Sequence, residues 1–514
     1  MLKRIFLVTL TLSVALCLFM SSAFACTLIY VGSAVSQDGS TIFGRSEDYA
    51  NSQNKLFYVA EAGKHKAGEV YNGCYGFSYT FTHDSYSYTA FSDDNGEAVD
   101  FVCPDCGQTH PHTPYEAAGT NNMGVTVTAT ETIYGSEAIE AVDPYEDAGI
   151  EEAEIVTVLL SESGSAAEAI HLLTSIYDGA GANAGSGIII ADAKEAWYIE
   201  NVTGHQYIAL KLSDTLVMTQ PNMVVIGLVD LDDSENVIYS ENLIAVAQQA
   251  GSFVGDAEQN QINYVASYCG GAEANARMVN AQGYFTDECA ISCNVAADDN
   301  YLLSNLDENG AITAVHSGFA ATEKLSIEDV QEFYHISNIG YQRNLEGHIF
   351  QIFDESATGT VEWVAMNDNA LAVFVPYYPM LTTDVYEGYK LSTPVAEFVT
   401  EAPESGVYYP TTVNRRVDGQ RVAVDGFMVI PEGWENSVYW TNDVVSNTVL
   451  YCGLDEAVTS ATYDSVYALQ AEVNAAFAQL DATALDAETA TQWSMAQAEA
   501  VHQAMIAIAQ GLVK

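Results

Sequence analysis

Positively charged residues are scarce in this chain. Its 514 residues include 16 lysines and arginines against 69 aspartates and glutamates, so the formal net charge at pH 7 is −53. Nucleic acids and anionic membrane surfaces bind proteins through clustered Lys and Arg side chains, and a chain of this charge repels both. The composition therefore excludes nucleic acid and anionic lipid as expected partners, although it does not identify a substrate.

Sequence signatures of nucleotide and calcium binding are also missing. No glycine-rich phosphate loop occurs in the sequence. An acidic cluster (Asp230, Asp232, Asp233 and Glu235) lacks the glycine and the spacing of an EF-hand loop, so we interpret it as a solvated face rather than a calcium site. We therefore expect no cofactor.

A long apolar run occurs at the N-terminus alone. Lys3 and Arg4 precede apolar residues 5–20, and Ala23 and Ala25 are the small residues that signal peptidase requires before its cleavage site. The run is short for a membrane helix, and no later stretch approaches the ~18 uninterrupted apolar residues that a span needs. We predict a signal peptide over residues 1–25, cleaved after Ala25, and an exported product, secreted or extracytoplasmic, with no membrane span.

Cleavage after Ala25 makes Cys26 the first residue of the mature chain. A cysteine thiol with a pKa near ~8.5 is mostly protonated at neutral pH, whereas a free α-amine has a pKa of ~7.7–8.0. In an N-terminal cysteine both groups share one Cα, so the amine can take the thiol proton and later return it to a leaving group. The position therefore indicates a self-activated nucleophile. The alternative is a lipoprotein whose Cys26 is acylated, although Ala23 and the bulky Phe24 fit a lipidation motif poorly.

A β-hairpin is predicted directly after Cys26. Residues 27–31 are β-branched and aromatic, Asp38-Gly39 is a turn signal, and residues 40–43 are typical of a returning strand. The second strand continues into Arg45 and Asp48, a cation that suits a thiolate and a carboxylate that suits an ammonium. A tight turn at Asp38-Gly39 would place Asn51 opposite Cys26, so the hypothesis requires a looser loop or a bulge. The alternative for Arg45 and Asp48 is a surface ion pair.

These residues resemble the cysteine dipeptidases of the dipeptidase A type, which belong to the N-terminal-nucleophile (Ntn) hydrolases together with penicillin V acylase, bile salt hydrolase and acid ceramidase. The resemblance covers most of residues 26–400 and depends on the order of its motifs rather than on any single one. The matching stretches are Cys26-Thr27, Gly44 to Asp48, Gly119 to Val125, Thr128 to Ile133, Ala191 to Glu200, Gln220-Pro221-Asn222, His348 to Ile352 and Val361 to Ala365.

The resemblance implies a set of site residues. Cys26 matches the nucleophile, and Arg45 and Asp48 match its supporting Arg-x-x-Asp. Asn222 matches an asparagine whose side-chain amide faces the oxyanion, and the backbone N–H of Glu131 would complete that oxyanion hole. Arg277 matches a second active-site arginine, with Arg343 as the competing candidate for that role.

The remaining cysteines predict no single arrangement. Cys103 and Cys106, followed by His110 and His112, are compatible with a local disulfide, a redox pair or a zinc knuckle, and an exported protein favours the disulfide. Cys269, Cys289 and Cys293 are further candidates for pairing. A buried thiol is a further alternative for Cys74 or Cys452, and the sequence predicts no connectivity.

The predicted fold class is α+β. Helical patterns at 151–160 and 166–176 lie between strand patterns, among them 187–190 and 197–199, and the resemblance implies the four-layer αββα sandwich of Ntn hydrolases with a C-terminal helical extension. We predict a catalytic domain over 26–400 and, over 401–514, a β-containing and helical extension packing on the core. Its last part, 462–513, predicts a helical pair, with an interface in a homo-oligomer as the alternative role.

The expected function is hydrolysis of dipeptides through a thioester on Cys26, since the resemblance implies a dipeptidase and small peptides as substrates. Two alternatives stay open. The same nucleophile also suits a non-peptide amidase acting on N-acyl amino acids, bile-salt-like conjugates or β-lactams. A lipidated Cys26 would instead make the chain a non-enzymatic exported lipoprotein.

Overall fold

Two antiparallel sheets form the centre of this computed structural model. The structure describes residues 26–49, 54–73, 76–93, 99–102, 109–112, 115–131, 133–270, 276–285, 303–306, 312–315, 323–336, 338–391, 396–417 and 420–513. The predicted signal peptide, Asn51, and Cys74, Cys103, Cys106, Cys289 and Cys293 lie outside the described residues, as do the side chains of His110 and His112.

The strands are numbered in chain order. They are β1 (Thr27–Val31), β2 (Thr41–Asp48), β3 (Leu56–Ala60), β4 (Val70–Asn72), β5 (Ser78–Thr80), β6 (Tyr88–Ser92), β7 (Val99–Val102), β8 (Thr109–His112), β9 (Glu116–Thr120), β10 (Thr126–Glu131), β11 (Ser186–Ala191), β12 (Ala196–Asn201), β13 (Tyr207–Lys211), β14 (Val217–Gln220), β15 (Leu228–Asp230), β16 (Val237–Tyr239), β17 (Gly255–Asp256), β18 (Gln261–Asn263), β19 (Leu303–Leu306), β20 (Ile312–Val315), β21 (Asn344–Ile352), β22 (Thr360–Met366), β23 (Val375–Tyr377), β24 (Glu397–Val399), β25 (Tyr408–Val417) and β26 (Gln420–Val429).

The α-helices of the described residues are α1 (Glu137–Glu140), α2 (Glu152–Glu162), α3 (Ala166–Gly179), α4 (Leu243–Ala250), α5 (Tyr264–Tyr268), α6 (Ala276–Phe285), α7 (Ile327–Phe333), α8 (Val438–Tyr451), α9 (Glu456–Ala478) and α10 (Ala487–Leu512). In the part of the chain that the structure describes, no helix combines the length and hydropathy needed to cross a bilayer.

The two sheets stack face to face. The first has six strands in the order β14-β1-β2-β21-β22-β23, and the second has eight in the order β16-β13-β12-β11-β10-β9-β6-β3. Helices α2 and α3 pack on the outer face of the eight-stranded sheet, against β9 to β12. On the other side, α8 and α10 pack against β22 and β23 of the six-stranded sheet. The predicted α+β class and its four layers, helix, sheet, sheet and helix, are confirmed.

The C-terminal helices complete the outer layer on the six-stranded sheet. The ring of Trp363 on β22 packs edge-on against Phe477 of α9, with 4.8 Å between ring centroids. On α8, the Asn442 amide donates a 2.9 Å hydrogen bond to the Met366 carbonyl at the end of β22. Residues beyond 401 therefore share one apolar core with the sheet that carries β1.

Helix starts follow local capping chemistry. At α2, Glu151 and Glu154 form a capping box in which each side chain accepts from the other residue's backbone N–H. Ser165 caps α3 by accepting from the Glu168 N–H at 3.2 Å. These caps fix where α2 and α3 begin, and α2 begins beside the end of the sheet where Cys26 lies.

Candidate active site

Cys26 directly precedes β1, which lies between β14 and β2 in the six-stranded sheet. It is 5% exposed and its thiol is free. The thiol sulfur accepts a 3.3 Å hydrogen bond from Nη1 of Arg45 and makes a further hydrogen bond with the Thr130 side chain. Because β1 is paired on both sides, with β14 and with β2, the residue at its start is held in place and its thiol is almost fully enclosed.

The β1–β2 connection is looser than a two-residue turn. Thr27 pairs with Ser46 and Leu28 pairs with Arg45, so the register places the centre of the connection at residues 36–37 instead of Asp38-Gly39. Nine residues, 32–40, separate the two strands. This is the longer loop that the hairpin hypothesis required, and it brings the Arg45 segment beside Cys26.

Arg45 is fully buried between the two sheets. Its Nε donates to Thr128 Oγ1 at 3.0 Å, and Nη2 donates to the backbone carbonyl of Ala117 at 3.2 Å. Thr128 and Ala117 belong to β10 and β9, so this one side chain links the six-stranded sheet to the eight-stranded sheet. The alternative of a surface ion pair is wrong for Arg45, because its side chain is 0% exposed.

Three carboxylates surround the Arg45 guanidinium. Glu152 Oε1 lies 3.4 Å from Nη1, and Glu47 and Glu346 lie 3.7 and 3.9 Å from Nη2. Glu47 also forms a 2.6 Å ion pair with the buried ammonium of Lys55. The cation beside the thiol is thus paired and hydrogen-bonded, as buried charges must be.

The electrostatics keep the Cys26 thiol protonated. Burial raises its pKa to about 11; the Arg45 cation opposes this shift, and the nearby carboxylates of Glu152 and Asp48 add to it. Near neutral pH the sulfur therefore carries its proton and needs a base before it can attack a carbonyl.

Arg277 binds the backbone of the predicted nucleophile. Its Nη1 donates to the Cys26 carbonyl oxygen at 2.7 Å and to Thr27 Oγ1 at 3.2 Å, and it lies 3.8 Å from Asp48 Oδ2. The competing candidate, Arg343, donates from Nε to the Tyr49 carbonyl at 2.9 Å, an exposed contact at the rim. The structure thus brings Arg277 to Cys26 and leaves Arg343 outside.

Asp48 is buried behind the hairpin. Its carboxylate accepts from Tyr341 Oη at 3.1 Å and from the side-chain amide of Asn344. Burial raises its pKa to about 7, although Arg277 and these hydrogen bonds oppose the shift. Asp48 therefore titrates near neutral pH, one contact away from the Cys26 backbone.

Asn222 follows β14, the other neighbour of β1. Leu28 pairs with Gln220, so a continuation of this register puts Asn222 across from Cys26. Its φ of 52° lies in the left-handed region, which Asn adopts more readily than most residues. The turn after it is held by Glu200, whose carboxylate accepts from the backbone N–H groups of Val225 at 2.7 Å and Ile226 at 3.2 Å.

Glu131 is the last residue of β10 and pairs with Ser186. Its side chain lies outside the described residues, but the prediction concerns its backbone N–H. That N–H follows Thr130, whose side chain contacts the Cys26 thiol. The structure therefore brings all six predicted site residues (Cys26, Arg45, Asp48, Glu131, Asn222 and Arg277) to one end of the gap between the sheets.

Sequence reasoning missed several residues of this site. Glu152 lies among the acidic residues that start α2, a position at which the sequence alone favours a helix-capping role. The structure assigns capping to Glu151 and Glu154 and directs Glu152 to Arg45. Thr128 and His348 lie in stretches that carried the family resemblance, but nothing in their spacing indicated that they meet.

Other predicted features lie apart from this site. Cys269 and Cys452 are free, and Cys452 is exposed, so its interpretation as a buried thiol was wrong. In the acidic cluster, Asp230 accepts from the Asp232 N–H and Asp233 from the Asn236 amide, contacts within a surface turn. Across the described side chains, no group of three or more His, Cys, Asp or Glu residues is arranged to hold a metal ion.

Comparison with known proteins relates the chain to dipeptidases. It is 35% identical over 253 residues to "Probable dipeptidase B" of Streptococcus pyogenes serotype M18, which is 49% of this chain and 48% of that protein. It is 28% identical over 374 residues to "Probable dipeptidase" of Salmonella dublin, covering 70% and 82% of the two chains. The chain spans about half the length of the streptococcal relatives that it matches.

Among solved structures, penicillin V acylase from Agrobacterium tumefaciens aligns with 68% of this chain and 85% of its own, at 12% identity and a TM-score of 0.33. The profile of peptidase family C69 matches residues 25–336, and the chain therefore belongs to that family.

Proposed function

We propose that this chain is an exported dipeptidase in which Cys26, freed by cleavage after Ala25, attacks the peptide bond and its own α-amine serves as the base. The observation that carries the proposal is the setting of Cys26: Arg45 contacts the thiol and Arg277 contacts the carbonyl of the same residue. Both ends of the residue are thus fixed while its sulfur faces the gap between the sheets. The relatives named dipeptidases support peptides as the substrate class.

The proposed reaction has two halves. The Cys26 amine takes the thiol proton, and the sulfur attacks the carbonyl carbon to form a tetrahedral intermediate. The amine then gives the proton to the leaving nitrogen, so the C–N bond breaks, a thioester forms and the C-terminal amino acid departs. Water, deprotonated by the same amine, hydrolyses the thioester and releases the N-terminal amino acid.

This scheme explains why the thiol can have a raised pKa. A pKa of about 11 means that Arg45 does not by itself generate a thiolate at neutral pH. While Ala25 is attached, the nitrogen of Cys26 is an amide and cannot accept a proton. Signal removal would therefore supply the missing base, and it would activate the enzyme without a separate propeptide.

Oxyanion stabilisation is proposed for the Asn222 amide and the Glu131 backbone N–H. They flank Cys26 from different sheets, Asn222 after β14 and Glu131 at the end of β10. Donors fixed in this way stabilise the charge that develops in the transition state more than any ground-state contact.

A free ammonium group on the substrate fits the charge of the site. Four carboxyl groups (Glu47, Asp48, Glu152 and Glu346) and three cations (Arg45, Lys55 and Arg277) form the network around Cys26 and Arg45. Asp48, whose pKa burial raises to about 7, gains its full charge when an ammonium comes near, because a neighbouring cation lowers the pKa of a carboxyl. The ammonium of a dipeptide's first residue lies two bonds from the carbonyl that the sulfur attacks, so it enters this acidic surrounding. Acylated or cyclic N-termini lack that charge.

The test compares three proteins that differ at the N-terminus. The first starts at Cys26, the second carries one extra alanine before it, and the third starts with Cys26→Ala; intact mass verifies each start. We expect dipeptide hydrolysis by the first protein alone, because the second keeps the thiol and loses its amine. Activity of the extended protein would contradict the α-amine base, and activity of Cys26→Ala would contradict the nucleophile.

Substrate profiling and the natural N-terminus complete the test. Hydrolysis of N-acyl amino acids or β-lactams without hydrolysis of dipeptides would replace the peptidase by an amidase. N-terminal sequencing of the exported protein is expected to begin at Cys26. A diacylglycerol adduct on Cys26, or cleavage elsewhere, would refute the mechanism.

A further inference from the structure

One buried histidine at this site has no role in the proposed reaction. His348 on β21 is 0% exposed and pairs with Arg45 across the β2–β21 ladder. The rings of Phe91 and Phe350 pack against it, with ring centroids at 5.3 and 5.2 Å. An imidazole in such surroundings is expected to have both nitrogens hydrogen-bonded.

The direction of its hydrogen bonds follows from the chemistry of its neighbours. Arg45 Nε–H can only donate, so Thr128 Oγ1 accepts the 3.0 Å bond between them. In the described part of the chain, the other hydrogen-bond partner of the Thr128 hydroxyl is His348 Nε2, at 2.8 Å. A buried hydroxyl proton without an acceptor is costly, and Nε2 is the acceptor within reach, so we take Thr128 to donate its proton to Nε2.

The other ring nitrogen then carries the proton. A neutral imidazole has one N–H, so when Nε2 accepts from Thr128 the proton is on Nδ1, which lies 2.9 Å from Oε2 of Glu346 and donates to it. Burial raises the pKa of Glu346 well above its usual range, although the Arg45 cation opposes the shift. The hydrogen bonds run in one direction, from Arg45 through Thr128 and His348 to Glu346, which also lies at an ion-pair distance of 3.9 Å from Arg45 Nη2.

The ring is neutral in this arrangement. Burial and the Arg45 cation hold the pKa of His348 well below its usual range, with Lys55 acting in the same direction and Glu47 opposing. A protonated ring would donate from Nε2 as well and would leave the Thr128 hydroxyl without its acceptor. The neutral ring is thus the form in which the Arg45 Nε–H, the Thr128 hydroxyl proton and both nitrogens of His348 all have hydrogen-bond partners.

We propose that His348 is a positioning residue: as the neutral Nδ1–H tautomer it orients the Thr128 hydroxyl, which fixes the Arg45 guanidinium against the Cys26 thiol. Its effect on turnover rests on the proposed function, whereas its effect on the thiol does not. If Arg45 shifts from the sulfur, the thiol pKa rises further, and each unit of rise leaves about tenfold less thiolate at a given pH.

The first test is the tautomer. The mature protein is labelled with 15N-histidine, and the His348 resonances are assigned by their loss in His348→Gln. We expect a neutral ring protonated on Nδ1 from pH 6 to pH 9. An Nε2–H tautomer or an imidazolium in that range would overturn the proposal.

The second test uses Thr128 and a matched hydroxyl two residues earlier on β10. Thr128→Val removes the group between Arg45 and His348, Thr128→Ser keeps it, and the control Thr126→Val removes a buried hydroxyl that bonds to Thr120 at 2.9 Å instead. Alkylation of Cys26 by iodoacetamide is measured for each, with a thermal melt to verify folding. We expect about tenfold slower alkylation and a lower kcat at similar KM for Thr128→Val, and near wild-type behaviour for the other two.

The outcomes separate the two proposals. Equal effects of Thr128→Val and Thr126→Val, or no effect of either on alkylation, would overturn the positioning role. If the wild-type protein hydrolyses no dipeptide but the alkylation difference and the Nδ1–H tautomer are found, the proposed function fails and the positioning role stands.

Discussion

The two faces of strand β10 pack against opposite kinds of surroundings. Val127 and Ala129 point to the helices and join an apolar cluster with Leu159 and other side chains of α2 and α3. Thr128 and Thr130, which alternate with them, point to the other sheet and contact Arg45 and Cys26. One strand thus borders a core on one side and a site on the other, because successive side chains of a strand alternate between faces.

The layer that stabilises the protein is therefore distinct from the layer that specifies its chemistry. The outer face buries aliphatic side chains. Each one raises the free energy of unfolding, because it is removed from water and closely packed. The gap between the sheets buries Arg45 with three carboxylates. The attraction within such a buried network does little more than offset the free energy lost when its charges leave water, so its net contribution to stability is small. Substitutions on the two sides should therefore separate stability from catalysis.

We expect the largest loss of stability when the Arg45 cation between the two sheets is removed. Arg45→Met leaves Glu47, Glu152 and Glu346 buried without the charge that they share, and breaking a buried pair in this way costs about 3–5 kcal/mol. Urea denaturation would measure the loss. Adding Glu152→Gln should recover part of it, and Arg343→Met, which removes a rim contact, should cost less than about 1 kcal/mol. A loss at Arg45 no larger than at Arg343 would contradict the role of Arg45 as the shared counterion.

On the apolar side, Leu159→Ala should reduce stability alone. Leu159 is 0% exposed in the cluster between α2 and the eight-stranded sheet, and truncation at such a site costs about 2–5 kcal/mol. The kcat for dipeptides should stay within about twofold of wild type at temperatures where the variant is folded. A selective fall in kcat would show that this layer also tunes the site.

Asn222→Gly should have the converse result, with catalysis lowered and stability nearly unchanged. Glycine accepts the φ of 52° without strain and removes the amide, so the variant isolates the loss of the proposed oxyanion donor. We expect kcat to fall about 100-fold, equivalent to ~2.7 kcal/mol. Asn260→Gly, at a φ of 51° outside the site, is the matched control. Equal activity of both variants would remove Asn222 from the oxyanion hole.

The smallest expected effect is a change of stability with pH. Burial raises the pKa of Glu200 to about 7, of Glu362 to about 8 and of Asp368 to about 6. Between about pH 4 and pH 8 the native chain therefore holds more protons on these groups than the unfolded chain does. Their contribution to stability is fully present near pH 4 and is lost as the pH rises through 6–8.

We accordingly expect the change of Tm from pH 5 to pH 8 to be more favourable in Glu362→Gln than in wild type, because the amide does not ionise. His335 and His502, whose pKa burial lowers to about 4, act in the opposite direction over this range, so the prediction concerns the difference between the two proteins. An equal change of Tm in both proteins would contradict the assignment of a protonated Glu362 to the native interior.

Local patterns predicted the elements well. The helical patterns at 151–160 and 166–176 became Glu152–Glu162 and Ala166–Gly179, and the C-terminal helical pair became Glu456–Ala478 and Ala487–Leu512. The strand patterns at 187–190 and 197–199 lie within Ser186–Ala191 and Ala196–Asn201. Periodicity and capping residues are local signals, so a single sequence contains them.

The site could be predicted in part. Cys26, Arg45 and Asp48 lie within one short segment whose chemistry is readable, and the ordered motifs supplied Asn222, Glu131 and Arg277. Thr128, Glu152 and His348 reach Arg45 through the stacking of two sheets and the pairing of β2 with β21. The spacing of these residues along the chain does not predict their contacts with Arg45, because the contacts depend on which distant strands become neighbours.

The position of β2 in its sheet sets the order of events during synthesis. Arg45 finds its partners on β9, β10, α2 and β21, and β21 is made roughly 300 residues after β2. At about 5–20 residues per second this interval lasts on the order of 15–60 s, during which the hairpin has an unpaired edge. Many like charges discourage such an edge from joining another chain. The acidity that first excluded partners therefore also protects a nascent chain whose site closes late.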